Sequence, residues 1–172
     1  MEIGLVGLRD ERVARRFAAA GVRVFACDAE GRADALAAAS ILVAKPGAAA
    51  VAQALHAPRV VWLDLPTGFA TELAIQDVWP EFSPGDVIVD AGRGTPSDGA
   101  RRAAQLASAR ILFVDGRVRA EDGRLRLYLG GGEAAVRALA PYADVLAGPS
   151  GWMHCGAAGS GYHWELDEEA LR

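Results

Sequence analysis

Hydrophobic positions along the chain fall into short apolar runs separated by alanine-rich amphipathic stretches. The short runs are rich in valine, isoleucine and leucine, as buried strands are, and they predict strands near residues 2–6, 22–27, 40–44, 59–64, 86–90 and 110–115. The intervening stretches predict helices near residues 10–20, 31–37, 47–56, 70–78 and 97–108. Alternating strands and helices are typical of βαβ units. We therefore expect an α/β fold with a doubly wound, mostly parallel sheet and helices on both faces.

The C-terminal third has a different pattern. Residues 124–129 alternate polar and apolar positions, which predicts a half-buried strand, and three glycines at 130–132 separate it from a helix near 133–140. Val145 and Leu146 suggest a last short strand. Residues 156–172 mix aromatic and acidic side chains, so we expect a tail or a projecting helix that follows a single domain over residues 1–155.

The turn after the first strand matches part of a dinucleotide-binding fingerprint. That fingerprint is G-x-G-x-x-G between a strand and a helix, with an acidic residue about 20 positions further on. Gly7 occupies the first glycine position, Arg9 and Arg12 occupy the second and third, and Asp28 follows 21 positions after Gly7. The setting predicts a Rossmann-like domain, whereas the loop departs from the usual cofactor-binding sequence.

Asp28 and Arg9 each allow two interpretations. Asp28 is suited to accept hydrogen bonds from ribose hydroxyls and would repel a 2′-phosphate, which favours NAD over NADP; alternatively it is an exposed acid at a strand end. Arg9 would push a diphosphate outward, unless its guanidinium pairs with a phosphate. Asp10 and Glu11 favour the helix dipole but occupy the place where an anion would gain from it.

Composition excludes several function classes. With 172 residues, of which 52% are hydrophobic and 23% charged, the chain is expected to form one domain, and its net charge of −4 disfavours nucleic-acid binding. No apolar run approaches the roughly 20 residues needed to span a bilayer, so we expect a cytoplasmic protein without membrane association. Cys27 and Cys155 lack metal-ligand spacing, and we predict reduced thiols and no metal site.

Several further motifs occur in a consistent order along nearly the whole chain. They are Ile3–Leu8, Ala57–Leu63 with Leu65-Pro66, Pro84–Asp90, Phe113–Asp115, and His154–Gly156 with Gly159-Ser160-Gly161. This series resembles the N-terminal NAD(P)-binding domain of the 6-phosphogluconate dehydrogenase (β-hydroxyacid dehydrogenase) family. The resemblance implies a Rossmann-like fold and a set of cofactor-binding positions: Gly7, Leu8, Arg9, Arg12, Asp28, Leu65, Pro66, Thr67, Gly92 and Arg93.

The sequence departs from that family at the positions of its chemistry. The catalytic lysine and a substrate-contacting asparagine of the family correspond to Glu165 and Glu169, and the chain contains no asparagine and only one lysine, Lys45. The family's D-G-G-N-S is Asp90–Gly94 here, its S-G-G loop is replaced by residues 116–123, and its helical C-terminal domain is expected to be missing. We therefore expect a catalytically inactive domain reused for ligand sensing or protein assembly. The alternative is an NAD-dependent half-enzyme that completes its site in a homo-oligomer or with a separate helical subunit.

Basic residues cluster after the predicted strands. If the carboxyl ends of the strands meet at one edge of the sheet, these basic residues gather there and fit an anionic small molecule or an acidic protein partner. The alternative is that they form an ordinary solvated surface. The residues are Arg9, Arg12, Lys45, Arg93, Arg117 and Arg119. Asp64 at the end of a strand is expected to orient one of these arginines or to cap the turn. Tyr162, His163 and Trp164 either pack onto the domain or form an interaction helix.

Overall fold

The sheet at the centre of the molecule has eight strands in the order β3-β2-β1-β4-β5-β6-β7-β8. The structure is a computed structural model that describes residues 1–28, 41–43, 47–66 and 68–162. The strands are β1 (Glu2–Val6), β2 (Arg23–Cys27), β3 (Leu42–Val43), β4 (Val60–Leu63), β5 (Val87–Asp90), β6 (Leu112–Glu121), β7 (Arg124–Gly131) and β8 (Trp152–Gly156). The helices are α1 (Glu11–Ala19), α2 (Ala48–Gln53), α3 (Phe69–Val78), α4 (Pro96–Ala107) and α5 (Glu133–Ala147), with 3₁₀ turns at Trp79–Glu81 and Ser160–Tyr162.

Pairing along the sheet is parallel except at one place. Neighbouring strands from β3 to β6 run parallel, β6 and β7 form an antiparallel hairpin, and β8 runs parallel to β7. The order reverses at β1, because β2 and β3 lie on one side of it and β4 on the other. In open α/β sheets ligands bind beyond the carboxyl ends of the strands at such a reversal point. The predicted α/β, doubly wound, mostly parallel fold is confirmed.

Two apolar layers cover the two faces of the sheet. Successive residues of β4 alternate between them: Trp62 packs with the layer beneath α1 and α5, and Leu63 packs with the layer beneath α2, α3 and α4. Both side chains are buried. Burial of strands on both faces is the reason that they appear in the sequence as continuous apolar runs rather than as alternating patterns.

Two sequence expectations need correction. Val145 and Leu146 belong to α5, which continues to Ala147, because Leu139, Ala143 and Leu146 recur at helical spacing and are all buried. The last strand is β8 instead. Residues 116–123 do not form a loop: β6 continues to Glu121, and Asp122 and Gly123, both with positive φ (49° and 75°), make the tight turn into β7.

The other predicted elements are present with shifted ends, and some predictions lie outside the described residues. The predicted helix at 31–37, Lys45 and residues 163–172, which include Glu165 and Glu169, are in that group. Tyr162, the last described residue, is buried. Among the described residues no helix is long and apolar enough to cross a membrane.

Candidate functional site

Gly7 shapes the turn between β1 and α1. Its φ is 77°, its N–H donates to the carbonyl of Cys27 at 3.0 Å, and a Cβ at this position would collide with the carbonyl oxygen of Asp64 and the side chain of Leu65. Only glycine satisfies both the backbone conformation and this close approach. The first glycine of the fingerprint therefore keeps its structural role, and the loop after β1 lies directly against the loop after β4.

The N-terminus of α1 is occupied by carboxylates of the chain itself. Asp10 accepts the N–H of Arg12 at 3.1 Å and pairs with the Arg12 guanidinium at 2.7 and 2.8 Å, which lowers the pKa of Asp10. Asp64, the residue directly after β4, accepts the N–H of Asp10 at 2.7 Å. Burial raises the pKa of Asp64, against the opposing effect of this hydrogen bond. Of the two expected roles of Asp64, the structure supports capping of the turn.

A cleft of about 550 Å³ opens beyond β1, β2 and β4. Most of its wall is apolar, with Leu65, Leu73 and Ala74 on one side, and Asp28 stands at the end of β2. We call it the nucleotide cleft. It brings together six of the residues that the sequence predicts to bind the cofactor: Gly7, Leu8, Arg9, Asp28, Leu65 and Pro66.

A second cleft, of about 500 Å³, opens beyond the ends of β4 and β5 and beside β6. We call it the arginine cleft, because Arg9, Arg12, Arg93 and Arg117 line it, together with Gly92. Trp62 also lines this cleft, and its buried indole Nε1 has no hydrogen-bond partner among the described residues. The cationic side chains suit oxygen atoms of an anion.

The two clefts adjoin at Arg9 and Asp64, which line both. The Arg9 guanidinium donates to the carbonyl of Leu65 over a long 3.4 Å. A ligand that filled both clefts would therefore cross the N-terminus of α1 between these two side chains. This is the position that a diphosphate takes in Rossmann domains.

A buried polar cluster adjoins the arginine cleft, because the N–H of Gly92, which lines the cleft, donates to Asp90 at 2.9 Å. Asp90, the last residue of β5, forms an ion pair with Arg102 of α4 at 2.5 Å and accepts a hydrogen bond from the Tyr162 hydroxyl. Asp90 and Arg102 are exposed by only 1% and 3%. Arg102 also contacts Glu72 of α3 at 2.6 Å. The cluster joins β5, α3, α4 and the chain near Tyr162, and burial raises the pKa of Asp90.

A second buried carboxylate ties the same chain segment to β6. Asp115 accepts the backbone N–H of Gly159 at 2.5 Å and that of Tyr162 at 3.2 Å. Burial raises the pKa of Asp115 to about 6. Tyr162 thus packs onto the domain, which is one of the two alternatives that the sequence left open.

The sequence predictions for the basic edge are met in part. Arg9, Arg12, Arg93 and Arg117 meet in the arginine cleft, while Arg119 lies further along β6 and is not among its lining residues. Lys45 and Thr67 lie outside the described residues. Sequence reasoning did not single out Arg102 or Glu72. Among the described residues no group of three or more histidine, cysteine or acidic side chains could hold a metal ion.

Comparison with known proteins agrees with this geometry. Residues 2–156 match the family described as the NAD binding domain of 6-phosphogluconate dehydrogenase. The chain belongs to this family. The NAD⁺-dependent decarboxylating 6-phosphogluconate dehydrogenase of Haloferax volcanii is 33% identical over 176 residues, and the match covers 96% of this chain and 57% of that protein. The chain thus spans little more than half the length of this relative.

Solved structures show the same fold. The 3-hydroxyisobutyrate dehydrogenase of Mycobacterium tuberculosis superposes with a TM-score of 0.83 and 26% identity, over 99% of this chain and 59% of that one. The 6-phosphogluconate dehydrogenase of Plasmodium falciparum superposes with a TM-score of 0.85 at 18% identity, over 96% of this chain and 39% of that one. The domain thus has the fold of the NAD-binding domains of this family.

Proposed function

We propose that this domain binds NAD and acts as a ligand-sensing or assembly module that does not itself carry out 6-phosphogluconate oxidation. One observation carries the binding proposal: an apolar cleft beyond β1, β2 and β4 is lined by the glycine turn and by a carboxylate at the end of β2. Apolar walls suit an adenine ring, and a carboxylate at this place suits the ribose hydroxyls beside it.

Particular side chains fit the two halves of the cofactor. Leu65 and Leu73 would cover the adenine, and Asp28 would accept hydrogen bonds from the adenosine ribose and disfavour a 2′-phosphate. The arginine cleft would receive the second half, with Arg9 and Arg93 near its phosphate. A nicotinamide ring supplies hydride transfer when bound. The relative from H. volcanii is named as NAD⁺-dependent, which is consistent with the preference for NAD.

The proposal of catalytic inactivity rests on the residues available for proton transfer. The family's lysine serves as general acid and base, whereas Glu165 and Glu169 stand at the corresponding sequence positions of its lysine and asparagine. A lysine and a carboxylate carry opposite charges, so Glu165 would repel an anionic sugar acid rather than attract it. The only lysine in the chain, Lys45, occurs in a different part of the sequence.

A second candidate function is an NAD-dependent half-enzyme. Its supporting observation is the arginine cleft, where four guanidinium groups outnumber the carboxylates of Asp10 and Asp64 and suit an anionic substrate. A second copy of the chain or a separate helical subunit would then complete the site. Steady NADH formation from NAD and 6-phosphogluconate by the purified protein would establish this candidate and overturn the proposal of inactivity.

The ribose contact provides the sharpest test of the cofactor assignment. We expect Asp28→Ala to weaken NAD binding by roughly tenfold or more, the effect of losing charge-assisted hydrogen bonds, and to reduce the preference for NAD over NADP. Asp77→Ala, which removes a carboxylate from the α3 side of the same cleft, is the matched control and should leave the preference unchanged. Equal effects of both substitutions on both cofactors would show that Asp28 does not contact the ribose.

A further inference from the structure

The junction between the two clefts contains a carboxylate of the chain. It lies where a bound dinucleotide would place its negatively charged diphosphate. Asp64 lines both clefts, and its Oδ2 accepts the N–H of Asp10 at 2.7 Å. Backbone amides at the start of a helix are the donors that a diphosphate uses in Rossmann domains. In this domain the N–H of Asp10 already donates to the carboxylate of Asp64.

The backbone fixes Asp64 at this junction. Its own N–H donates to the carbonyl of Val6 at 2.9 Å, which extends the pairing of β4 with β1 by one residue. Its carbonyl lies against Gly7, at the point where a Cβ would collide. Since both neighbouring loops hold the backbone, only rotation of the side chain could take the carboxylate away from the Asp10 amide.

Charged groups surround this carboxylate on several elements. Arg9 and Asp10 face it from the turn and the start of α1, and Arg12, Arg93 and Arg117 line the arginine cleft that it borders. Asp28 and Asp77 line the nucleotide cleft on its other side. The Arg12 guanidinium is paired with Asp10, whereas the Arg9 guanidinium makes a long hydrogen bond to the Leu65 carbonyl and its charge favours the ionised form of Asp64. Arg9 is therefore the cation best placed to change partner when an anion enters.

We propose that Asp64 is a specificity-determining residue: its carboxylate occupies the diphosphate position at the N-terminus of α1 and weakens, without abolishing, the binding of NAD and other ligands that carry a diphosphate across the junction. This inference rests on the proposed function, because it concerns the same nucleotide cleft. Adenosine, which lacks phosphate, meets no such competitor. NAD binds only after the Asp64 side chain has left the Asp10 amide, and it then lies close to a like charge.

The test compares wild type with Asp64→Asn, in which the amide oxygen can still accept the N–H of Asp10 while the charge is removed. Each protein is titrated calorimetrically with NAD and with adenosine at pH 7. We expect Asp64→Asn to tighten NAD binding by about tenfold or more and to leave adenosine binding unchanged. Asp77→Asn, which removes the same charge from the rim of the nucleotide cleft, is the matched control and should change NAD binding much less.

Each outcome separates this inference from the proposed function. Equal or weaker NAD binding by Asp64→Asn overturns the inference, as does an equal gain with Asp77→Asn or a parallel gain with adenosine. NAD binding by wild type, measured in the same series, tests the proposed function independently. If NAD binds to Asp64→Asn alone, the inference holds and the wild-type domain is not an NAD binder under these conditions. If adenosine binds all variants but NAD binds none, Asp64 is not the barrier.

Discussion

Removal of the Arg102 guanidinium should destabilise the domain far more than removal of the neighbouring Arg101 guanidinium. Both arginines lie on α4 and contact Glu72 at 2.6 Å, but the Arg102 side chain is 3% exposed and that of Arg101 is 51% exposed. Arg102 alone also neutralises Asp90, which is 1% exposed. The matched substitutions are Arg102→Met and Arg101→Met, since methionine preserves most of the apolar stem.

The magnitudes follow from burial. Arg102→Met leaves Asp90 buried without its cation, which costs about 3–5 kcal/mol, whereas an exposed pair such as that of Arg101 contributes about 0–1 kcal/mol. For a domain of this size, each kcal/mol lowers the Tm by roughly 2–4 °C. We therefore expect a decrease in Tm of about 6–20 °C for Arg102→Met and of about 4 °C or less for Arg101→Met.

Scanning calorimetry together with urea unfolding measures both effects. A double variant, Asp90→Asn with Arg102→Met, removes the stranded charge and should recover part of the free energy of unfolding lost in Arg102→Met. Equal losses in the two single variants would refute the reasoning from burial. Failure of Asp90→Asn to recover any stability would show that the loss comes from packing rather than from the unpaired carboxylate.

Two further predictions concern Gly7 and Asp115. Gly7→Ala should lower the free energy of unfolding by more than the roughly 1 kcal/mol expected for Gly21→Ala. Both glycines have positive φ (77° and 76°), but of the two only Gly7 has a neighbour that a Cβ would strike. Equal losses of stability in urea unfolding would contradict this close approach. The pKa of Asp115 in the folded chain, about 6, exceeds its ordinary value of 3.8, so the folded state binds this proton more tightly than the unfolded state does. As the pH falls from 7 to 4, the free energy of unfolding of wild type should therefore rise by up to about 3 kcal/mol relative to that of Asp115→Asn. Urea unfolding across this range tests the sign, and a difference between the two proteins that does not vary with pH would contradict it.

The fold could be predicted from the sequence because the parallel strands are buried on both faces and appear as continuous apolar runs. The two errors have local causes. Val145 and Leu146 resemble a short strand when taken alone, yet they continue the helical spacing of Leu139 and Ala143. Arg117-Val118-Arg119-Ala120 alternates polar and apolar residues, a strand signal that the expectation of a family loop outweighed.

The candidate site was predictable to the extent that it depends on strand ends. The spacing of Gly7 and Asp28 indicated the nucleotide cleft, and the basic residues after β1, β5 and within β6 indicated the arginine cleft. The partners of Asp64 and Arg102 could not be derived, because they lie 54 residues and 12 or more residues away along the chain and meet only in the folded sheet. Arg102 differs from Arg101 only in the face of α4 that it occupies.

A calorimetric titration of the wild-type protein with NAD, with NADP in parallel, tests most directly whether the nucleotide cleft binds a cofactor. We expect saturable binding of one NAD per chain, and weaker binding of NADP because the Asp28 carboxylate in the nucleotide cleft would repel a 2′-phosphate. Absence of saturable NAD binding by a protein that unfolds cooperatively would contradict the claim that the nucleotide cleft still serves a cofactor.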